Sequence, residues 1–213
     1  EDQVGRYRIL PYMKYLGYQK IQIAVISHMD VDHYSGIMEL LEMGKIKYLG
    51  LPEIPKDEAM KKIIGIAKKR GTTIFYLSRG RQITTKDGSF KVLHPQKNSQ
   101  MEKNAASLVM QGKILGYRVL LTGDVEKEGE EELLSEELER ADILKAAHHG
   151  SKNSTSNEFL QKVQPKHTVI SCGKQNRYGH PHSETIHRLQ TYHTKIYRTD
   201  QSGAIIFFKR RDG

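Results

Sequence analysis

The chain has 213 residues, of which 37% are hydrophobic, and this is enough to bury a sizeable core in one domain, predicted as residues 1–213. Its 34 Lys and Arg against 25 Asp and Glu give a formal charge of +9, which favours polyanionic partners such as nucleic acid. The single cysteine, Cys172, excludes an intrachain disulfide framework, and no apolar run approaches the roughly 20 residues of a transmembrane helix.

Short β-branched runs alternate with amphipathic helical stretches, which predicts an α/β fold. In chain order, the predicted strands are residues 22–27, 47–51, 72–77, 107–111, 117–122, 142–146, 167–172, 195–198 and 204–209. The predicted helices are residues 34–43, 57–70, 126–137, 158–163 and 183–192. Lys86-Asp87-Gly88, between Ile83 and Phe90, predicts a hairpin turn, so we expect antiparallel pairing as well and a mixed sheet or sheets.

A first cluster of polar side chains follows the apolar strand predicted at residues 22–27. Two imidazoles and two carboxylates, His28, Asp30, Asp32 and His33, fall within six residues of one loop. Both ligand types bind divalent first-row ions, and a loop at a strand end can surround an ion without breaking a regular ladder. The alternative is a polar turn in which an Asp caps the following helix. Four such side chains at this spacing favour the metal site.

Two further strand ends carry side chains of the same kind. The predicted strand 117–122 runs into Gly123-Asp124, and the predicted strand 142–146 is followed by His148-His149-Gly150-Ser151. By itself, Asp124 could simply cap the acidic helix that follows it. Adjacent histidines before Gly-Ser are hard to explain by packing. Three strand ends therefore carry candidate metal ligands.

The last cluster is the loop of residues 173–182, which combines glycines, two cations, a tyrosine and two histidines. Its candidate functional side chains are Lys174, Arg177, Tyr178, His180 and His182. Such content suits the binding of phosphate and the stacking of a base, and the alternative is a solvated loop. The remaining single histidines, which we interpret as structural, are His94, His167, His187 and His193.

Together these motifs resemble the metallo-β-lactamase-fold domain of ComEC-type DNA-uptake competence proteins, in order and over essentially the whole chain. The matching segments are His28-Met29-Asp30-Val31-Asp32-His33, Leu121-Thr122-Gly123-Asp124, Lys145-Ala146-Ala147-His148-His149-Gly150-Ser151 and the loop from Gly173 to His182. The resemblance implies a four-layer αββα sandwich with two divalent metal ions, manganese or zinc, at the edge where the sheets meet. It also implies a soluble domain of a longer membrane protein that degrades one strand of incoming DNA.

The resemblance assigns the metal ligands residue by residue. His28 and Asp30 would face the first ion, Asp32, His33 and His149 the second, and Asp124 would bridge the two. For catalysis, Asp32 would orient or deprotonate the attacking water, His148 would contact phosphate, and His180 or His182 would protonate the leaving group. The residues expected to bind substrate are Asn104, Ser107, Ser151, Lys174, Arg177, Tyr178 and His182.

The chain also departs from the family pattern. The wider superfamily has His at the position of Asp30, and it supplies another His from a later strand where this chain offers Asn104 and Ser107. The first metal site is therefore expected to be rich in oxygen. The family also begins with a strand hairpin and a Gly-Asp-Ser motif, so we expect a fragment that lacks the N-terminal strands of the first sheet.

The expected partners are DNA, single-stranded by preference, and the membrane channel portion of the parent protein, with no small organic cofactor. Two other functions remain open. One is a metallo-hydrolase of a small substrate such as a phosphocholine ester or a lactone. A narrow, neutral pocket and a substrate affinity that does not depend on salt would favour this alternative. The other is a non-catalytic DNA-binding module, against which the retention of Asp32, His33, Asp124 and His149 argues.

Overall fold

The first half of the chain forms a parallel sheet covered by helices. The computed structural model describes residues 3–101, 104–135 and 138–208. A π-helical turn, Gly5–Ile9, runs directly into helix α1, Leu10–Tyr15. The following elements are β1 Ile21–Val25, α2 Val31–Glu42, β2 Ile46–Pro52, α3 Glu58–Lys69 and β3 Thr73–Leu77. The three strands pair in parallel in chain order, because a helix crosses between each strand and the next.

The second half builds a larger, mixed sheet. Its elements are β4 Gln82–Thr85, β5 Gly88–His94, β6 Val109–Ile114, β7 Tyr117–Leu121, α4 Lys127–Leu134, β8 Ile143–Lys145, a 3₁₀ turn Ala147–Gly150, α5 Asn157–Val163, β9 His167–Ile170, α6 Ser183–Thr191, β10 Lys195–Arg198 and α7 Thr199–Ser202. Within the described residues the strand order is β10-β9-β8-β7-β6-β5-β4. Strands β7 to β10 pair in parallel, whereas β4 to β7 pair antiparallel, and the predicted hairpin joins β4 to β5.

Three apolar clusters separate four layers of structure. The first includes Leu49 and Met60 and joins the small sheet to its helices, while the second includes Leu144 and Phe159 and joins the large sheet to helices α4, α5 and α6. The third, which includes Leu108, lies between the two sheets. Alternate residues of each strand point to opposite faces, so both sheets are covered on both sides. The predicted αββα sandwich with a mixed sheet is confirmed. None of the helices in the described ranges is both long and apolar enough to cross a bilayer.

Helix α3 shows why the sequence pattern succeeds here. Met60, Ile63 and Ala67 recur at helical spacing and are fully buried, so one face of the helix packs on the sheet. Asp57 caps the helix, because its carboxylate accepts the backbone N–H of Met60 at 2.8 Å. The helix predicted at 57–70 is therefore confirmed with its expected cap.

Two features of the termini differ from the predictions. The strand predicted at 204–209 is wrong for residues 204–208, which form no ladder, and Lys209 lies outside the described residues. Here the apolar run serves ring packing instead, because Phe207 lies against the rings of Tyr117, His167 and Tyr197. Helix α1 and the turn before it were not predicted.

A buried carboxylate holds the segment that follows the 3₁₀ turn. Glu130 on α4 is 2% exposed and accepts the backbone N–H groups of Thr155 and Ser156, the latter at 3.0 Å. Arg188 on α6 binds the same segment through the carbonyl oxygens of Ser154 and Thr155, at 2.9 and 3.1 Å. The loop between the 3₁₀ turn and α5 is therefore fixed from two sides.

Replacing Glu130 by alanine should lower the free energy of unfolding by about 2–4 kcal/mol, because two buried N–H groups lose their acceptor. Glu130→Gln should cost less, since burial raises the pKa of this carboxyl group and the amide keeps one acceptor oxygen. The neighbouring Glu131 is exposed, so Glu131→Ala is the matched control and should change stability by less than about 0.5 kcal/mol. Urea denaturation measures all three, and equal losses for Glu130→Ala and Glu131→Ala would contradict this account.

Candidate metal centre

The candidate ligands lie at strand ends that meet at one edge of the sandwich. Residues 27–33 follow β1, Asp124 follows β7, and the 3₁₀ turn with His148 and His149 follows β8. Because β7 and β8 are parallel neighbours, their carboxyl ends lie at the same edge. A backbone hydrogen bond links the two sheets here, because the N–H of Leu108, just before β6, donates to the carbonyl oxygen of Ser27, after β1, at 2.8 Å.

Two imidazoles and one carboxylate converge at the centre of this edge. The Nε2 atoms of His33 and His149 are 3.2 Å apart, and each lies 3.1 Å from Oδ2 of Asp124. Oδ2 of Asp32 lies 3.3 Å from Nε2 of His149 and 3.8 Å from Nε2 of His33. Facing nitrogen and oxygen donors at this spacing surround a point that a divalent cation could occupy.

His28 adds a donor with an unmet hydrogen-bonding need. The side chain is 1% exposed, and its Nε2 atom has no hydrogen-bond partner among the described residues. Its other ring nitrogen lies 3.1 Å from Oγ of Ser27, which also lies 3.2 Å from Nδ1 of His33. A buried ring nitrogen without a partner is costly unless it binds a ligand. With Oδ2 of Asp30 3.8 Å from that nitrogen, the residues fit a metal site.

Charge pairing between the histidines and the carboxylates dominates the electrostatics of the cluster. Burial opposes ionisation of Asp124, but hydrogen bonds from His149 and His33 and the charge of Lys145 hold its pKa well below the usual value. Burial likewise disfavours the cationic form of His149, yet the hydrogen bonds to Asp124 and Asp32 raise its pKa to about 10. The hydrogen bond from His149 lowers the pKa of Asp32 to about 2. The carboxylates therefore stay ionised with the protonated His149 as their partner, and a metal ion would have to displace that proton in order to bind.

Lys145 was not assigned a role from the sequence. Its ammonium group donates to the carbonyl oxygens of Gly123 and Ala146, at 2.7 and 3.2 Å, and lies 3.4 Å from Oδ1 of Asp124. One oxygen of Asp124 therefore faces the lysine while the other faces His33 and His149. The signal that could have found it is a lysine in an otherwise apolar strand, directly before the histidine pair.

Two left-handed residues shape the histidine turn. His148 and His149 both have positive φ, 45° and 54°, a conformation that is sparsely populated outside glycine. Contacts of both rings hold them: Nδ1 of His148 lies 2.8 Å from Oε1 of Glu126, and Nδ1 of His149 lies 2.6 Å from the Ser171 carbonyl oxygen. Gly150 follows at φ 84°, and a Cβ there would lie 2.6 Å from Cβ of Pro181. This close approach brings the loop of residues 173–182 against the turn.

That loop carries a column of stacked side chains leading away from the cluster. The His180 ring stacks on His149 at 6.2 Å between centroids, and Tyr178 stacks on His180 at 5.8 Å. The guanidinium group of Arg177 lies 4.8 Å from the centre of the Tyr178 ring. Asn176 stiffens the loop, because it accepts the backbone N–H of His180 at 2.9 Å. Tyr178 remains 60% exposed, so the outer end of the column faces solvent.

The predicted proton donor lies beside the cluster in a neutral state. Burial, with the charges of His148, His182 and His149, lowers the pKa of His180 to about 4. A neutral imidazole has no extra proton to give to a leaving group at neutral pH. His182, the other candidate, accepts the backbone N–H of Lys152 at 3.1 Å through Nδ1. The geometry therefore favours His180 as a stacking surface.

The remaining predicted substrate contacts fall in different places. Ser107 is fully buried, and its Oγ accepts the backbone N–H of Asp124 at 3.1 Å, so it positions the ligand loop instead of facing a substrate. Ser151 is 4% exposed and caps its own turn at Asn153. Asn104 lines a cleft of about 1170 Å³ beside Asp30 and Glu126. Lys174 is exposed on the loop.

Comparisons with known proteins agree with this arrangement. Residues 5–174 match the family model of the metallo-beta-lactamase superfamily. The chain is 38% identical over 216 residues to ComE operon protein 3 of Bacillus subtilis, covering 99% of this chain and 27% of that protein. It is 31% identical over 212 residues to competence protein ComA of Neisseria gonorrhoeae, covering 96% of this chain and 28% of that protein. The chain thus spans about a quarter of the length of these curated relatives.

Solved structures support the same fold at low sequence identity. The metallo-beta-lactamase fold protein YhfI from Bacillus subtilis aligns with a TM-score of 0.57 and 14% identity, over 89% of this chain and 79% of that one. The beta-hydroxylase CmlA from Streptomyces venezuelae aligns with a TM-score of 0.55 and 10% identity, over 84% of this chain and 44% of that one. With the family model matched over residues 5–174 and the donors gathered at the sheet edge, the chain belongs to the metallo-beta-lactamase superfamily.

Proposed function

We propose that this chain is a metal-dependent phosphodiesterase that cleaves DNA, preferentially single-stranded. The observation that carries the proposal is the convergence of Nε2 of His33, Nε2 of His149 and Oδ2 of Asp124 within 3.2 Å of one another. Directly beside this cluster, the column that ends in Tyr178 and Arg177 offers a ring and a cation to a nucleotide. A donor cluster and a nucleotide-binding surface thus lie side by side.

Two divalent ions would be held by the residues at the strand ends. His28 and Asp30 would hold one ion, Asp32, His33 and His149 the other, and Asp124 would be shared. Such ions polarise phosphoryl oxygens and make a bound water acidic enough to act as a nucleophile at neutral pH. We expect manganese or zinc, and the oxygen of Asp30 shifts the first site towards the harder ion, manganese.

The other residues bind and orient the substrate. Asp32 is ionised, with its pKa lowered to about 2 chiefly by the hydrogen bond from His149, so its carboxylate can orient a water, although it is a weak base. The Glu126 carboxylate fixes the ring of His148 through Nδ1, which leaves Nε2 of that ring to contact a phosphate oxygen. His180 holds its neutral ring between His149 and Tyr178 as a stacking surface.

Charge sets the side from which DNA would approach. The cleft beside Asp30 and Glu126 is lined by more acidic than basic side chains, and it would repel a phosphate backbone. The loop of residues 173–182 carries Lys174 and Arg177 and no acidic residue. DNA would therefore cross the loop and avoid the cleft.

The names of the relatives support a wider setting for the proposed activity. Proteins named for competence in Neisseria gonorrhoeae and for recombination in Haemophilus influenzae match the chain over 96% and 92% of its length. Both names concern DNA, and both proteins are several times longer than this chain. We therefore propose a domain of a longer membrane protein, partnered by its channel portion, that degrades one strand during DNA uptake.

The deciding experiment is a cleavage assay in which metal ions are titrated into chelator-stripped protein with single- or double-stranded DNA. We expect metal-dependent cleavage, faster on the single strand, with binding that weakens log-linearly with salt and varies little with base sequence. Hydrolysis of a small ester or lactone without DNA cleavage, and without salt dependence, would replace this proposal with the small-substrate alternative.

Arg177→Ala should weaken DNA binding by about three- to tenfold and reduce the slope of log affinity against log salt by about one, because one phosphate contact is lost. Metal binding should be unchanged, since the contact of Arg177 within the described part of the chain is with Tyr178, which is not a candidate ligand. Arg70→Ala, at the exposed end of α3, is the matched control and should leave the affinity and the slope as they are. Fluorescence anisotropy at several salt concentrations measures both variants. Equal slopes for Arg177→Ala and the unaltered protein would remove Arg177 from the binding surface.

A further inference from the structure

The first helical segment presents an unusual set of exposed aromatic rings. Tyr7, Tyr12, Tyr15 and Tyr18 are 65%, 48%, 84% and 63% exposed, and the rings of Tyr12 and Tyr15 stack at 6.4 Å. Exposed tyrosines at this density are rare on a surface that contacts only water, because each ring leaves a large apolar face in solvent. These four side chains form what we call the N-terminal tyrosine surface.

The opposite side of the same segment is already used for packing. Met13 is 6% exposed and belongs to the apolar cluster beneath the small sheet, and Ile9 and Leu10 pack against that cluster. Gly5 lies so close to α2 that a Cβ there would be 2.4 Å from the carbonyl oxygen of Gly36. The segment is therefore fixed, and its tyrosines are not needed for the core.

The segment that carries these tyrosines is basic. From Gln3 to Met29 the sequence contains no Asp or Glu, while Arg6, Arg8, Lys14 and Lys20 are basic. The guanidinium group of Arg6 lies 3.5 Å from the side-chain oxygen of Gln3, which is uncharged and does not neutralise it. One acidic side chain contacts the segment, because the Glu39 carboxylate on α2 accepts the backbone N–H of Arg6 at 2.9 Å. The exposed rings and the remaining cations match a ligand that has flat faces and negative charges.

We infer that the N-terminal tyrosine surface binds single-stranded DNA outside the metal centre, an inference that rests on the proposed nuclease function. The bases would stack on the exposed tyrosines while Arg8 and Lys14 neutralise phosphates. Duplex DNA is a poorer ligand because its bases are already stacked. The surface is connected to the centre through α2, which packs against this segment and begins at Val31, within the metal-binding loop.

An anionic membrane is a less suitable partner for the same surface. A helix that lies on a bilayer inserts a continuous apolar face below the headgroups. Here the apolar face of Ile9, Leu10 and Met13 is turned inward, and the exposed side offers polar rings and cations with Leu16 as its aliphatic side chain. The chemistry of the exposed side is therefore that of a nucleic-acid surface.

The experiment compares two double variants of the metal-loaded protein, Tyr12→Ala/Tyr15→Ala and Tyr12→Phe/Tyr15→Phe. Anisotropy is measured with two phosphorothioate-linked oligothymidines. The strand of about 12 nucleotides is long enough to extend beyond one site, and the strand of about 3 nucleotides is not. We expect the alanine variant to bind the longer strand at least about tenfold more weakly, and the phenylalanine variant to bind it normally because the rings remain. The shorter strand should bind all three proteins alike.

A charge pair and a small substrate complete the test. Lys14→Ala should weaken binding of the longer strand, whereas Lys162→Ala, exposed on α5 in the other helix layer, should not. Hydrolysis of bis(p-nitrophenyl) phosphate should be equal in all variants, since none of them alters the metal cluster. The inference is overturned if the alanine variant binds the longer strand as tightly as the unaltered protein does. Binding to phosphatidylglycerol vesicles is measured as well, and the inference is also overturned if the alanine variant loses binding to the vesicles and keeps its binding to the strand. Absence of metal-dependent cleavage of unmodified DNA by the unaltered protein overturns the nuclease proposal instead, while the affinities still decide the tyrosine surface.

Discussion

Replacing Asp124 by asparagine is expected to lower kcat/KM for DNA cleavage by at least about a thousandfold and to weaken metal binding by at least about tenfold. Oδ2 of Asp124 lies 3.1 Å from Nε2 of both His33 and His149, so this carboxylate stands between the ligands from both sheets. The amide has nearly the same shape but lacks the negative charge that would neutralise a cation. Calorimetric metal titration and a cleavage assay measure the two effects.

The fold should survive the change, because the backbone N–H of Asp124 still donates to Oγ of Ser107, and this contact does not involve the altered side chain. Asp87→Asn, in the exposed hairpin turn between β4 and β5, is the matched control and should behave as the unaltered protein. If Asp124→Asn keeps full activity with its metal affinity intact, the metal centre is not where we place it.

Removing divalent metal with a chelator is expected to abolish cleavage, and manganese is expected to restore more activity than zinc. The reason is Asp30, whose carboxylate lies 3.8 Å from Nε2 of His28 and makes the first site richer in oxygen than a pair of imidazoles would be. Oxygen donors favour harder ions, although zinc can still bind more tightly than manganese by the Irving–Williams order. Activity and affinity should therefore rank the two ions in opposite order.

The test of this ranking is Asp30→His, which should shift the preference back towards zinc, while Asp87→His should leave it unchanged. Stripped protein is reloaded with each ion separately, and both cleavage rate and bound metal are measured. Full activity with zinc alone, and none with manganese, would show that Asp30 does not govern the choice of metal.

The sequence predicted most of the fold because its signals are local. The helical spacing of Met60, Ile63 and Ala67 and the cap at Asp57 are determined within about three turns of one helix. The strand predicted at residues 204–209 failed for the opposite reason. Its residues 204–208 are apolar, as in a strand, but Phe207 packs against the rings of Tyr117 and Tyr197, and the segment forms no ladder. A ladder needs a partner strand, which local periodicity does not supply.

By itself, the sequence determined which residues could bind a metal and at which strand ends they stand, because residue type and spacing are sufficient for that. The tertiary structure decided which of them meet. His33, Asp124 and His149 are distant in the chain, and only the pairing of β7 with β8 and the packing of the two sheets bring their donor atoms within 3.2 Å. The tertiary structure also decided that Ser107 is buried against the backbone of Asp124, and that the ammonium group of Lys145 lies near Oδ1 of the Asp124 carboxylate. These contacts depend on side-chain direction and burial across two sheets, which no local pattern encodes.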